Sequence, residues 1–157
     1  MKDLREMTVL RLAGIAPGTE LARAVEKRAR ILGFTDTAEA AVLKPDDPGG
    51  ISHDLRLALA ARIARLHDLE DLAAFYEAGG AEADPGFQGA GRIAAILAFT
   101  DLVSSHPRDA GATDIEVLRD AGIPDADIVR LAELNAFMAY QIRVIEGLRA
   151  LAKGDAA

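Results

Sequence analysis

From Asp125 to Lys153 the chain reads DADIVRLAELNAFMAYQIRVIEGLRALAK. Ile128, Leu131, Met138, Ile142 and Ile145 hold one apolar seam at heptad spacing, with Asn135 inside it. Leu134, Phe137, Val144, Leu148 and Leu151 hold a second seam, with Gln141 inside it. Pro124 or Asp125 opens the stretch and no proline interrupts it, so one long helix is predicted here. A helix that is apolar on two seams buries two sides. It either runs through the middle of a bundle or faces a second subunit. Asn135, polar within an apolar seam, is the kind of residue that specifies register or oligomeric state.

The chain leading to this helix also reads as helices. Residues 2–13 form a short candidate closed by Gly14. Pro17 through Leu32 repeats Leu21, Val25, Ala29 and Leu32 at helical spacing, and Gly33 is expected to end it. Asp36 or Thr37 would cap a further turn or two through Leu43, before the prolines and glycines of residues 44–50 break the chain. Ser52 is the natural N-cap of the next helix, with Leu55, Leu59, Ile63 and Leu66 on one stripe and Arg56 and Arg65 turned away. Arg62 borders that stripe, where it would snorkel or pair. Asp68 would cap a helix over 69–78, stopped by Gly79 and Gly80 and followed by a surface linker over 81–91. Ile93, Ile96, Leu97, Phe99 and Val103 mark another helix, stopped by Pro107, and Thr113 would cap a short one over 114–121.

Composition agrees. The chain has 157 residues, 50% of them hydrophobic and only 4% aromatic, which suits one all-α domain with a Leu/Ile/Ala core. It has no Cys, which excludes disulfides, thiol nucleophiles, cysteine zinc sites and dithiol redox chemistry carried by this chain. A net charge of −7 repels phosphate backbones and anionic lipid headgroups, so no nucleic acid and no membrane partner is expected. Residues 114–131 would pass for a helix-turn-helix, but Asp125 and Asp127 stand where phosphate contacts would be made. The N-terminal residues lack an apolar core with a cleavage site, and no apolar run is long enough to span a bilayer, so a cytoplasmic location is expected. His53, His67 and His106 are scattered, and no glycine-rich nucleotide loop is present, so neither metal nor cofactor is expected.

Three stretches together resemble the alkyl hydroperoxidase D-like (AhpD-like), carboxymuconolactone decarboxylase superfamily. They are the Ile51-Ser52 leader with its following helices, the capped turn AGIPDADI at 121–128, and Phe137, Tyr140, Arg143, Gly147 and Leu148 in the last helix. The resemblance covers about residues 45–151 and implies an oligomeric helical bundle on which the N-terminal helices of residues 2–43 would pack. It also implies a place for the Cys-x-x-Cys-x-x-x-His box of that family. Its cysteines fall at Leu69 and Leu72, its histidine at Tyr76 and its upstream glutamate at Leu57. Neither Leu nor Tyr can attack a peroxide or resolve a sulfenic acid, so the resemblance implies the fold without the dithiol activity.

Two functions follow as expectations. One is a redox-inactive structural or binding subunit, a homo-oligomer or a companion of a Cys-x-x-Cys-bearing relative. The other is a thiol-independent, cofactor-free enzyme, of decarboxylase or isomerase type, on a small carboxylated molecule. For the enzyme, His67 would serve as general acid or base, Tyr76 as hydrogen-bond donor to a carbonyl or enolate, Glu70 as polar lining and Arg143 as carboxylate clamp. Three of them have a plainer use: Glu70, with Asp68, complements a helix N-terminus and His67 a C-terminus, while Arg143 suits a buried carboxylate on another helix.

Overall fold

The computed structural model describes residues 4–76 and 79–155. A 3-10 turn, Leu4–Glu6, leads into α1 (Thr8–Ala13), α2 (Glu20–Lys27), α3 (Ala29–Leu43), α4 (His53–Leu66) and α5 (Glu70–Tyr76). A second 3-10 turn, Ala81–Ala83, precedes α6 (Gly91–Ser105), α7 (Ala112–Asp120) and α8 (Asp125–Asp155). The described residues contain no strand, and the architecture is all-α.

At 1.5 Å per residue, the 31 residues of α8 span about 46 Å, and α1, α2, α3, α4, α6 and α7 all pack on it. The two seams are the reason. Ile128, Leu131, Met138, Ile142 and Ile145 are buried along their whole length, as are Leu134 and Phe137 of the second seam. The second seam opens toward the C-terminus, where Val144 and Leu148 are half-buried and Leu151 is 59% exposed. Over most of its length α8 is therefore the middle of the bundle. Asn135 is buried inside this chain, its amide donating to Leu131 O at 3.0 Å.

α4 is the second buried element, with Leu59, Ile63 and a run of alanines packed at its centre and α5 folded back against it. Ser52 caps it as expected, its hydroxyl accepting from Leu55 N at 3.2 Å. Gly14 closes α1 in the left-handed region at φ 66°, and α6 ends at Ser105, with His106 as its C-cap before Pro107.

Several local expectations are corrected. Residues 17–32 are not one helix: the chain breaks at Arg28 and restarts as α3, which runs straight through Gly33 to Leu43. Asp36 and Thr37 lie inside α3 rather than at its start, and Thr37 Oγ1 donates back to Gly33 O at 3.0 Å. Packing of α3 on α8 outweighs the roughly 1 kcal/mol that a mid-helix glycine costs. α7 starts before Thr113, and Asp114 rather than Thr113 reaches its N-terminus, accepting from Gly111 N at 2.8 Å. Asp68 joins α4 to α5 at φ 59°, and Asp71 accepts from Leu72 N at 2.9 Å. Residues 77 and 78 of the predicted α5 stretch, and residues 2 and 3 of the first, lie outside the described residues.

The largest correction concerns arginines. Arg56 is buried rather than turned away, and donates to Ile51 O (2.9 Å), Val42 O (2.8 Å) and Pro48 O (3.0 Å). It thus satisfies the carbonyls of Val42 at the end of α3, of Pro48 within the 44–50 loop and of Ile51 just after it, and so ties both ends of the loop to α4. Arg62 pairs, with Asp101 and with carbonyls of residues 82–87, so the supposed surface linker is anchored to the centre of α4. At the start of α8, Asp127 is buried and accepts from Gly50 N (3.1 Å) and Arg130 (2.9 Å), which closes the other end of that loop.

Candidate functional site

Gln141 stands in the second seam of α8, where the pattern calls for an apolar side chain, and it is completely buried. A buried amide needs partners on both of its atoms. Its Nε2 donates to Glu39 Oε2 of α3 at 3.1 Å, and its Oε1 accepts from the Tyr76 hydroxyl of α5 at 2.5 Å. Glu39 Oε1 also accepts from Thr8 Oγ1 of α1 at 2.8 Å, with the Tyr76 hydroxyl 3.4 Å away. One polar cluster therefore ties four helices together. One turn earlier on α3, Thr35 Oγ1 and the Tyr140 hydroxyl share a 2.7 Å hydrogen bond.

A cleft of about 520 Å³ opens beside this cluster. Thr8, Glu39 and Tyr76 line it on the polar side, Leu43, Leu57 and Phe75 on the apolar side, and Asp36 and Lys44 complete it. Burial pushes the Tyr76 phenol well above its ordinary pKa, and the Glu39 charge adds to the shift. Tyr76 thus remains a neutral donor, and its proton points at Gln141.

The four residues expected to form a site go to different partners. His67 Nε2 lies 3.1 Å from Ser104 Oγ of α6. Glu70 is exposed and 3.5 Å from Arg65 Nε of α4. Tyr76 belongs to the Gln141 and Glu39 cluster. Arg143 is exposed and donates to Ala139 O of its own helix at 2.8 Å, so the expected buried carboxylate on another helix is not its partner. The turn of α8 decides this, because Gln141, Ile142 and Ile145 take the inward positions around it. Of the four, Tyr76 alone lines the cleft.

The positions expected to carry the dithiol are filled by packing. Leu69 and Leu72 are buried in the core with Tyr76, and Leu57 packs against it. Among the described residues no group of three or more His, Asp or Glu side chains is placed to hold a metal. Asp125 is held below the usual carboxylate range by its hydrogen bond from Arg119 and by that residue's charge. No helix is long and apolar enough to cross a membrane among the described residues.

Glu39 went unread because the short helical stretch expected through Leu43 carries no sign of its partners, Gln141 and Thr8, which lie on other helices. Gln141 did leave a signal, as a polar break in an apolar seam, but its partners lie 65 and 102 residues away. No known family model, characterised protein or solved structure matches the chain.

Proposed function

We propose that this chain is a redox-inactive subunit on an alkyl hydroperoxidase D-like helical bundle, acting by binding rather than by catalysis, in a homo-oligomer or beside a Cys-x-x-Cys-bearing relative. The observation that carries this reading is the burial of Leu69, Leu72 and Tyr76 in the core, at the positions where the resemblance places two thiols and a histidine. A dithiol peroxidase needs a solvent-accessible thiolate, and core leucines supply neither the sulfur nor the access. The thiol-independent enzyme is the weaker reading, because His67, Glu70, Tyr76 and Arg143 bond to four different partners and share no cleft. The test is turnover of an alkyl hydroperoxide by the purified chain with a dithiol reductant. The expected rate equals that of buffer; enzyme-dependent peroxide loss that scales with protein concentration would refute the reading.

A further inference from the structure

We infer that copies of this chain associate head to tail, the acidic face of α7 in one copy seating on the basic, apolar face at the α2–α3 junction of the next. The inference rests on the reading above, of a subunit that binds its own kind, and it names the two surfaces.

The basic face comes first. Ile31 and Phe34 are each 61% exposed and lie one turn apart on α3. A pair of large apolar side chains turned to water on one helical turn marks a contact surface better than either alone. Cations predominate on the side toward α2. Lys27, Arg28 and Arg30 are exposed at the junction, Arg30 lies 5.8 Å from the centre of the Phe34 ring, and Arg23 stands a turn earlier on α2. From Arg23 to Arg30 the chain carries four cations against Glu26 alone, although its net charge is −7.

The complementary face is on α7. Val117 is 51% exposed there, with Asp114 and Asp120 three residues to either side and Glu116 beside it. Arg119, the one cation of this helix, is already paired with Asp125 at 2.8 Å, which leaves the face acidic around an apolar centre. Each face thus offers what the other lacks: an apolar centre of matching kind beside charge of the opposite sign.

The two faces cannot neutralise each other within one molecule. α7 joins the bundle at the start of α8, through Leu118, Ile123 and the Arg119–Asp125 pair. α3 docks far along α8, through the bonds of Thr35 to Tyr140 and of Glu39 to Gln141. From Asp125 to Tyr140 the helical rise alone is about 22 Å. Different surfaces meeting between identical copies make a heterologous contact, which closes into a ring or extends into a filament.

The experiment is sedimentation velocity on the full chain at low salt and at about 0.5 M salt, where exposed charges are screened beyond a few ångströms. The wild type is expected to exceed its 16.6 kDa monomer mass at low salt and to shift toward it at high salt. Two variants follow, K27E/R28E/R30E and E116K/D120K, all at exposed positions, with helicity checked by circular dichroism. Each alone is expected to be monomeric, and an equimolar mixture is expected to associate again, because each then offers the face that the other needs. A wild type that is monomeric throughout overturns both this inference and the self-association reading. An oligomer that neither variant disturbs, or variants that dissociate but do not reassociate when mixed, overturns the pairing of these faces alone. A monomeric wild type that binds phosphatidylglycerol vesicles in a Lys27- and Arg30-dependent way would assign the basic face to a lipid surface instead and overturn the inference.

Discussion

Arg62→Met is the most exacting test of how this bundle is held. The Arg62 side chain has no exposure, and it donates to both carboxylate oxygens of Asp101 at 2.5 Å. It also donates to the carbonyls of Glu82 (3.4 Å), Pro85 (3.1 Å), Phe87 (3.0 Å) and, at closer range, Asp84. Met fills much the same volume, so the substitution removes charge and donors while leaving little cavity. Asp101 is 30% exposed and recovers water once Arg62 is gone. The cost therefore falls on the carbonyls of residues 82–87, which lose their common donor. Removing one partner of a buried pair costs about 3–5 kcal/mol, and the loop's freedom to swing into water places this case near the low end, about 3 kcal/mol. In a chain of this length that lowers Tm by roughly 6–12 °C. Urea unfolding followed at 222 nm gives the free energy, and amide exchange shows where it is lost. Protection is expected to collapse over residues 80–91 while α8 keeps its own. A variant within about 0.5 kcal/mol of wild type, or one that loses protection evenly, would refute the assignment of Arg62 as the anchor of this segment.

Three further outcomes are expected. Gly33→Ala should stabilise the chain by about 0.4–1 kcal/mol, measured by urea unfolding, because Gly33 is within α3 and a Cβ there meets nothing within 4 Å. Gly49→Ala should cost at least about 1 kcal/mol more than Gly14→Ala. Both glycines have positive φ, but only at Gly49 would the new Cβ come within 2.5 Å of Asp127 Oδ1 and Arg130 Nη1, breaking that pair's hold on the loop. The third concerns pH. The folded-state pKa of Tyr76 is raised by burial, so the stability it contributes is fully present below the unfolded phenol value of roughly 10 and is lost as pH rises above it. In a Tyr140→Phe variant, where Tyr76 is the one tyrosine left, phenolate absorbance should appear together with unfolding; ionisation near pH 10 with helicity intact would contradict the buried hydrogen bond.

Much of the fold was legible because it follows from local periodicity. The two seams of α8, the Ser52 cap, the break at 44–50 and the stop before Pro107 all depend on residues within a few positions of one another. The misreadings share a cause as well. Gly33 looked like a stop because propensity is a local quantity, whereas its helix is held by packing against α8. Arg56 looked like a surface residue because its carbonyl partners lie outside its own helix, at the end of α3 and in the segment leading into α4. His67, Glu70 and Tyr76 looked like a site because the resemblance placed them near one junction, and Arg143 because it falls in the resembling motif of the last helix. Their rotation about three helix axes was invisible in the sequence.

By itself the sequence determined an all-helical chain with one long two-seamed helix and no sulfur nucleophile, since these depend on residue type and short-range spacing. Only the tertiary structure decided that this helix runs through the middle of its own bundle, and which polar groups lie inside. Burial of a guanidinium, an amide or a phenol is permitted where distant backbone and side-chain partners converge to satisfy it, as at Arg62 and at Gln141 with Tyr76 and Glu39. That convergence joins positions up to 102 residues apart, which no local pattern encodes.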